Sequence, residues 1–424
     1  MNLFEIEKET KHQNTIRVLV LGNFTYMKNL EQDSYVNVVK NQIKLLNEIR
    51  DDLWFYLILP CPVPSLQFDN VTQWYLPIPT YPPTMRSHFD VPEMQKLLGR
   101  DMDFDLVMSH LPEHTHALKN VMYNVTHHTP HFFGYTHWTD VKEVVAWPKD
   151  SFLQNITGLL EYDRCNLNTQ AQKNLILNQA RETFNDDTIS KLDDILTVQH
   201  LGVDAKNIID NINETPEKIN DITSDIKTIV FNHRPDTYKH FKEFIAVCDK
   251  LWELRHDFQV WIPLLDKPNR EYVVTTKGNK EWYYKELQKC YMGFAPKQTY
   301  GGWSVAATDG MMNGCPFVFY DAPYYHELME TADFFKDDHE ALMLMNTYLD
   351  DPQFRNEQAE RALDWMREKL IYKDKMIEMS DYMDKLLDKT HKIGDNSGRF
   401  KEVVQWIKNS GTVSKEELID KLGW

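Results

Sequence analysis

Two cations in the middle of the chain have a spacing that fits an anion site. Arg234 and Lys239 stand five residues apart in the segment Asn232 to Phe241, NHRPDTYKHF. This segment overlaps the end of a predicted strand, Thr228 to Asn232. From the tip of a strand both side chains can reach one anion, although such a pair taken alone is more often two solvated loop cations. A second anion-binding element is therefore needed to support the interpretation.

A glycine-rich turn followed by a predicted helix supplies that second element. Gly301 and Gly302 allow the backbone to approach a ligand, and the free amides of a helix that begins near Ser304 face the same place. Asp309, further along this helix, can accept hydrogen bonds from ribose hydroxyls. Cations, helix amides and a carboxylate together fit a nucleoside diphosphate. The candidate ligand-binding residues of this element are Gly301, Gly302, Trp303, Ser304, Val305 and Asp309.

Both elements belong to a series of alternating strands and helices in the second half of the chain. Such alternation predicts a parallel sheet covered by helices, which binds ligands beyond the carboxyl ends of its strands. The predicted elements are strand Thr228–Asn232, helix Tyr238–Arg255, strand Phe258–Pro263, helix Trp282–Cys290, strand Met292–Ala295, helix Ser304–Asn313 and strand Pro316–Tyr320.

The first half of the chain shows the same alternation of predicted strands and helices. Its predicted elements are strands Ile16–Leu21, Leu53–Leu59, Asp105–Met108 and His131–Thr136, with a helix at Tyr35–Ile49. Two such series predict an α/β protein with two Rossmann-like, doubly wound domains that face each other across a cleft. The polar stretch from Asp186 to Asp225 contains the predicted junction, and Pro352 to Leu387 is predicted to be helical throughout. The predicted units are an acceptor-side domain (1–210), a nucleotide-binding domain (211–351), a helical segment that packs back across the domains (352–390) and a helical tail (391–424).

The order of these motifs resembles the nucleotide-sugar half of GT-B glycosyltransferases related to the retaining family that includes glycogen and sucrose synthases. In that family an Arg and, five residues on, a Lys follow a strand, as Arg234 and Lys239 do here. A Gly-rich turn, a helix with a carboxylate, a small-Gly-x-Pro turn and a Glu beyond the next strand come later. Those places are occupied here by Asp309, Gly314, Pro316 and Glu327. The similarity continues through Ala332 to Leu363, whereas the first domain resembles the family only in its alternation of strands and helices.

One position departs from the family pattern. The family usually carries another acid eight positions before the one in the helix, and Gly301 stands there. Because that acid commonly holds hydroxyls of the donor sugar, its loss leaves the sugar and the donor orientation open. The resemblance implies a nucleotide diphosphate sugar, a UDP-sugar by preference, as co-substrate, no permanently bound cofactor, and retention of anomeric configuration. Arg234, Lys239 and the helix amides would stabilise the departing diphosphate.

Candidate residues of the first domain follow the tips of its strands. The family often carries a His near the donor sugar, and His137 in FFGYTHWTD has that context, although a structural role is equally open for one of 16 His. A His at that place can donate to a sugar hydroxyl or stabilise developing charge. An inverting enzyme would instead need a first-domain base, for which Glu113, His114 and Asp140 are the candidates. The acceptor-side candidates are Asn23, His110, Glu113, His114 and Asp140.

Composition and the lack of certain motifs argue against several classes of protein. The net charge of −17 argues against a protein that coats nucleic acid, although a local basic groove stays possible. The five scattered Cys form no CxxC pair and are read as reduced thiols, and the His residues show no HExxH, so no metal is predicted. No apolar run approaches the roughly 20 residues that cross a bilayer. We therefore expect a cytoplasmic protein without a membrane partner.

The acceptor is suggested only by the end of the chain. The helical patterns Phe400 to Lys408 and Ser414 to Leu422 resemble half of a helix-turn-helix unit. A GT-B enzyme with such an appendage is similar to bacteriophage transferases that glycosylate hydroxymethylated DNA bases, which makes hydroxymethylated pyrimidine in DNA the favoured acceptor. A phage-encoded enzyme would act in the host cytoplasm. The acidic composition argues against DNA, and a polysaccharide, a lipid-linked sugar or a small molecule is the alternative. A catalytically silent nucleotide-binding scaffold is a third hypothesis, motivated by the acid missing at Gly301.

Overall fold

The computed structural model describes residues 15–24, 34–76, 90–99, 103–126, 129–136, 139, 141, 149–210, 226–267, 270–298 and 302–388. Within these ranges the chain forms two parallel β-sheets, and helices pack against both. In this part of the chain, no helix is both long and apolar enough to cross a bilayer.

The first sheet is built by the first half of the chain. Its strands are β1 (Ile16–Leu21), β2 (Leu53–Leu59), β3 (Val71–Tyr75), β4 (Leu106–Ser109), β5 (His131–Thr136), β6 (Arg164–Leu167) and β7 (Leu196–Val198). Its helices are α1 (Ser34–Ile49), α2 (Val91–Leu98), α3 (Pro112–Thr126), α4 (Lys149–Leu159), α5 (Gln170–Ala180) and α6 (Asp186–Ile195). The described strands are ordered β3-β2-β1-β4-β5-β6-β7, and every adjacent pair is parallel.

The apolar runs that predicted β1 and β2 form the centre of this sheet. All seven residues of β2 (LWFYLIL) and the last four of β1 are buried. A parallel strand needs such a run because helices cover both of its faces. Both strands have the bounds that the sequence predicted. The stretch predicted to hold the domain junction begins with α6, followed by β7, the last strand of the first sheet.

The second sheet has the same architecture. Its strands are β8 (Lys227–Val230), β9 (Phe258–Trp261), β10 (Val273–Val274), β11 (Met292–Ala295), β12 (Phe317–Tyr320) and β13 (Asp333–Phe335), in the order β10-β9-β8-β11-β12-β13. Its helices are α7 (Phe241–Leu254), α8 (Lys280–Lys289), α9 (Val305–Met311), α10 (Pro323–Leu328), α11 (Asp338–Asp350) and α12 (Pro352–Lys369). The strand order reverses beside β8, which pairs with β9 on one side and β11 on the other. In open sheets of this type, ligands bind at the reversal point, beyond the carboxyl ends of the strands.

The helix predicted for Tyr238–Arg255 begins later than expected. Residues Thr237–Lys239 form a single 3-10 turn, and α7 starts at Phe241. His240, between them, has a φ of 48°, in the left-handed region that right-handed helices cannot contain. Lys239 consequently lies in the loop after β8 and not on the face of a helix.

The helix predicted for Pro352 to Leu387 is interrupted. α12 ends at Lys369, and the last helix, α13, covers residues 372–388. Between them, Val203 of the first domain donates its N–H to the carbonyl of Leu370 (2.8 Å) and accepts from the N–H of Tyr372 (2.9 Å). The prediction of one continuous helix was therefore wrong, because pairing with a distant segment takes the place of the helical hydrogen bonds.

After this break α13 packs on the first domain. Arg50, at the end of α1, contacts Asp384 at 2.8 Å, and Gln199 donates to the carbonyl of Lys375 at 2.7 Å. The chain thus returns to its first domain after completing the second.

Gly158 of α4 allows the close crossing of α4 over the start of α3. A Cβ added there would lie 1.7 Å from the carbonyl oxygen of Pro112. We expect Gly158→Ala to lower the free energy of unfolding by about 1–3 kcal/mol, measured in urea, although alanine is the better helix former. Gly302→Ala is the matched control, since nothing lies within 4 Å of its added Cβ. Greater stability of Gly158→Ala would contradict the crossing.

Candidate functional site

The two candidate anion-binding loops meet at the reversal point of the second sheet. The loop with Arg234 and Lys239 follows β8, and the glycine-rich turn follows β11. These strands are neighbours, with Ile229 paired to Met292. The Lys239 ammonium donates to the side-chain oxygen of Gln298, three residues past β11, which joins the two loops directly.

Lys239 is a cation whose charge is poorly compensated. Burial, followed by the nearby charge of Arg234, lowers the pKa of Lys239 to about 7. Asp236 opposes this shift only weakly, as the smallest of the three causes. Arg234 itself is exposed to solvent. An anion beside Lys239 would stabilise its protonated form, so this loop has the electrostatics of an anion-binding site.

A cavity of ≈ 170 Å³ lies between the two domains, around Lys239. Among the described residues that line it, Lys239 alone carries a charge. The first domain contributes Thr139, Val141, Asn168, Gln172, Leu175, Ile176 and Leu201, and the second contributes Tyr238, Lys239, Gln298, Gly302, Trp303 and Val305. The predicted residues Lys239, Gly302, Trp303 and Val305 are thereby brought together.

Trp303 links the glycine-rich turn to the first domain. Its ring stacks on the imidazole of His200, with centroids 5.3 Å apart and planes 24° from parallel. His200 is fixed in turn, because its Nδ1 donates to the carbonyl of Asn168 at 2.8 Å. Trp303 is consequently held against the opposite domain at the edge of the cavity.

Ser304 precedes α9 and Asp309 lies within it. Ser304 is the N-cap residue, whose hydroxyl accepts from the N–H of Ala307 at 3.2 Å. The Asp309 carboxylate accepts a long hydrogen bond (3.4 Å) from the hydroxyl of Tyr284 on α8, and burial raises its pKa to about 6. Asp309 is absent from the described lining of the cavity. In this structure its carboxylate faces the tyrosines of α8.

The acceptor-side candidates of the first domain occupy different surroundings. His110 is buried (3% exposed), with its ring between those of Tyr35 and Tyr135 at centroid distances of 5.3 and 6.4 Å. Glu113 and His114, in the first turn of α3, are half-buried, as is Asn23 after β1. None of these four lines the cavity as described. His137, Asp140 and Gly301 lie outside the described residues, although their neighbours Thr139 and Gly302 line the cavity.

Glu327, which occupies a family position, joins the two domains. Its carboxylate accepts from the backbone N–H groups of Gln170 (2.6 Å) and Ala171 (2.8 Å) at the start of α5. A carboxylate at a helix N-terminus is stabilised by the unpaired amides and the helix dipole. In this structure Glu327 therefore ties α10 of the second domain to α5 of the first.

Several cavity residues were not identified from the sequence. Two of them could have been found from their position in the sequence. Gln298 follows the tip of β11, and Tyr238 lies between the two predicted cations. Asn168 and Gln172 follow the tip of β6, where polar residues are typical of a ligand site. The described lining of the cavity offers one cation, several amide and hydroxyl groups and aromatic rings. Within the described ranges, no three His, Cys, Asp or Glu side chains are grouped to hold a metal ion.

Comparison with known proteins identifies the fold but not a sequence family. No protein-family model matches the chain, and no curated protein matches it in sequence. The structure is similar to sucrose-phosphate synthase from Thermosynechococcus elongatus, with a TM-score of 0.68, 10% identity, and coverage of 88% of this chain and 100% of that one. It is also similar to Anabaena HepE in complex with UDP and glucose (TM-score 0.60, 10% identity, 87% and 100% coverage).

A third similar structure is the N-terminal domain of trehalose-6-phosphate phosphatase from Candida albicans, with a TM-score of 0.61 and 10% identity over 88% of this chain and 97% of that one. These matches extend over both domains. Together with the two parallel sheets and the cleft between them, they show that the chain has the GT-B fold that the sequence predicted.

Proposed function

We propose that this protein is a glycosyltransferase that transfers a sugar from a nucleotide diphosphate sugar, with UDP-sugars as the donor class. The observation that carries the proposal is the cation Lys239, whose charge is poorly compensated and which lies in a cavity between the two domains of the GT-B fold. A diphosphate is the ligand group that such a cation, at the reversal point of a parallel sheet, is suited to bind. The structural similarity to HepE in complex with UDP and glucose supports the choice of donor.

In the proposed reaction, the chain stabilises the charge that develops on the departing diphosphate. Lys239 and Arg234 provide cations, and the amides at the start of α9 provide hydrogen bonds. Asp309 is proposed to bind the ribose, which requires the ligand to displace its hydrogen bond with Tyr284. His137 is proposed to contact the donor sugar from the first domain. Retention of anomeric configuration follows from the family resemblance, with the leaving phosphate helping to deprotonate the acceptor.

The catalytically silent scaffold is a second candidate. Gly301 stands where the family pattern has an acid, and the N-terminal domain of a trehalose-6-phosphate phosphatase has a similar structure, so the fold by itself does not imply transfer. Incubation of the purified protein with UDP-glucose and other UDP-sugars separates the two hypotheses. A transferase is expected to release UDP and free sugar slowly even without an acceptor, whereas a silent scaffold would bind UDP in calorimetry and release neither.

The favoured acceptor is hydroxymethylated pyrimidine in DNA. This proposal is supported by the resemblance of the tail to half of a helix-turn-helix unit, and the tail lies outside the described residues. A base within a duplex would have to be flipped out to reach the cavity. Transfer of labelled sugar to plain and hydroxymethylated duplex, with band shifts at several salt concentrations, tests the proposal. If the protein binds neither duplex at any salt concentration and transfers sugar to a glycan or small molecule instead, DNA is rejected as the acceptor.

Arg234→Ala tests the role of the exposed cation. We expect the change to weaken UDP binding by about 1–3 kcal/mol, because a charge-assisted contact to the diphosphate is lost. Calorimetry at low salt measures the effect. Arg361→Ala is the control, since Arg361 is an exposed cation on α12 outside the described cavity lining. Equal UDP affinity of Arg234→Ala and the wild type would remove Arg234 from the site.

A further inference from the structure

Gln298 is a buried amide whose polar atoms are all engaged. It is 5% exposed and lies between the two loops of the cavity. Its side-chain oxygen accepts from the Lys239 ammonium, and its Nε2 donates to the hydroxyl of Tyr325 at 3.1 Å. Its backbone N–H donates to the hydroxyl of Tyr324 at 2.9 Å. Both tyrosines belong to α10, so that helix fixes the position of Gln298.

The hydrogen bonds of Tyr325 determine which way the amide points. The Tyr325 hydroxyl donates its single hydrogen to the carbonyl of Pro296 at 2.8 Å. Toward Gln298 it can therefore only accept, which requires the NH₂ group to face Tyr325. The amide oxygen must then face Lys239. A chain of hydrogen bonds from the backbone of Pro296 thus sets an acceptor beside the ammonium.

The neutral amide holds the ammonium without cancelling its charge. An ammonium has three donors, and Gln298 occupies one of them, which leaves others for a ligand in the cavity. A carboxylate at the same place would pair with Lys239 and neutralise it. Both side chains line the cavity, so the ammonium is fixed at the cavity wall.

We propose that Gln298 is a positioning residue, which directs the Lys239 ammonium toward the bound diphosphate while leaving its charge uncompensated. This inference rests on the proposed function, because it places a diphosphate in the cavity. It adds a requirement that the resemblance did not contain, namely that the group beside Lys239 must accept a hydrogen bond and be uncharged.

Two variants test the two requirements separately, and a third is the control. Gln298→Glu keeps the shape and the acceptor but adds a charge, and Gln298→Met removes the acceptor without adding charge. Gln353→Glu adds the same charge on the exposed face of α12 and is the control. UDP affinity is measured by calorimetry between pH 6 and 9. The titration of Lys239 is followed by NMR of ¹³C-labelled lysine, with its resonance assigned from Lys239→Met.

We expect Gln298→Glu to lower UDP affinity about tenfold or more and to raise the pH at which Lys239 titrates. The UDP affinity of the wild type should fall as the pH rises, whereas that of Gln298→Glu should stay constant. Gln298→Met should also lose affinity but retain a decline with pH, and Gln353→Glu should behave as the wild type. A purely structural role of Gln298 would alter stability and leave both pH profiles unchanged.

Two outcomes would overturn the proposal. One is UDP affinity in Gln298→Glu and Gln298→Met equal to that of the wild type. The other is a Lys239 titration in Gln298→Glu that does not move. If the wild type binds no nucleoside diphosphate at all, the proposed function fails, and the Lys239 titration, which needs no ligand, still decides whether Gln298 sets the state of the ammonium.

Discussion

Lys239→Met is expected to weaken UDP binding by about 2–5 kcal/mol, more than any other single change in the cavity. Lys239 is partly buried, so the attraction of its ammonium to a diphosphate is screened less than that of the exposed Arg234. Methionine keeps much of the length of the side chain and removes the charge. Calorimetry at pH 6.5 and low salt measures the loss, with Lys242→Met, an exposed lysine of α7, as the control.

The same change is expected to stabilise the protein without ligand. Burial lowers the pKa of Lys239 from 10.5 to about 7, so folding disfavours the protonated form. The resulting cost is absent above the unfolded pKa, grows as the pH falls from about 10 to 7, and is complete below 7. Lys239→Met should therefore raise the free energy of unfolding at pH 7, on the order of 1–2 kcal/mol, with the gain vanishing near pH 10.5.

The pH dependence of binding has the matching sign. A bound diphosphate raises the pKa of Lys239, so UDP-glucose affinity in the wild type should be highest below pH 7 and fall as the pH rises above 7. Lys239→Met should show no such fall. If Lys239→Met is less stable than the wild type at pH 7 and binds UDP with unchanged affinity, both the cost of the buried charge and its role in diphosphate binding are contradicted.

The candidate site residues that the sequence could predict are those with a local pattern. Arg234 and Lys239 were identified because a strand, a loop and two cations occur within about a dozen residues, and strand pairing then brings the turn after β11 beside them. Strands such as β2 were predicted to the residue, because burial on both faces requires a continuous apolar run. In such cases, the physical cause lies within the segment itself.

Features with a distant cause were missed. The break after α12 comes from Val203, far back in the first domain, and nothing in the sequence near Leu370 indicates it. The role of Gln298 depends on Tyr325, 27 residues away. His110 was expected to line the acceptor side, yet its ring packs between tyrosines from two other segments.

α10 shows how such distant contacts meet in one short element. Its Tyr325 sets the orientation of Gln298, and three residues earlier in the chain Ala322 provides the N-cap position of the helix. Its Glu327 binds the N-terminus of α5 in the first domain. One helix therefore contacts both the group that holds Lys239 and the opposite wall of the cleft, which no local pattern in the sequence could predict.

Arg355 binds three backbone carbonyl groups at the outer side of the second domain. Its Nε donates to the carbonyl of Tyr291 (2.8 Å), and its Nη2 donates to those of Cys290 (3.1 Å) and Gly314 (3.0 Å). Burial lowers the pKa of Arg355 below its usual value. Gly314 has a φ of 74°, in the left-handed region that favours glycine, and it forms the turn between α9 and β12. The arginine thus ties α12 to the starts of β11 and β12.

Arg355→Ala is expected to lower the free energy of unfolding by about 3–5 kcal/mol, because three carbonyls lose their donor within a buried region. Urea unfolding measures the change. Arg361→Ala, on the same helix, is the matched control, because Arg361 is 41% exposed and its nearest acid, Asp333, is 3.9 Å away. Arg355→Lys should fall between the two, since an ammonium lacks the planar fork that reaches all three carbonyls. A loss in Arg355→Ala no larger than that in Arg361→Ala would show that water replaces the arginine at these carbonyls.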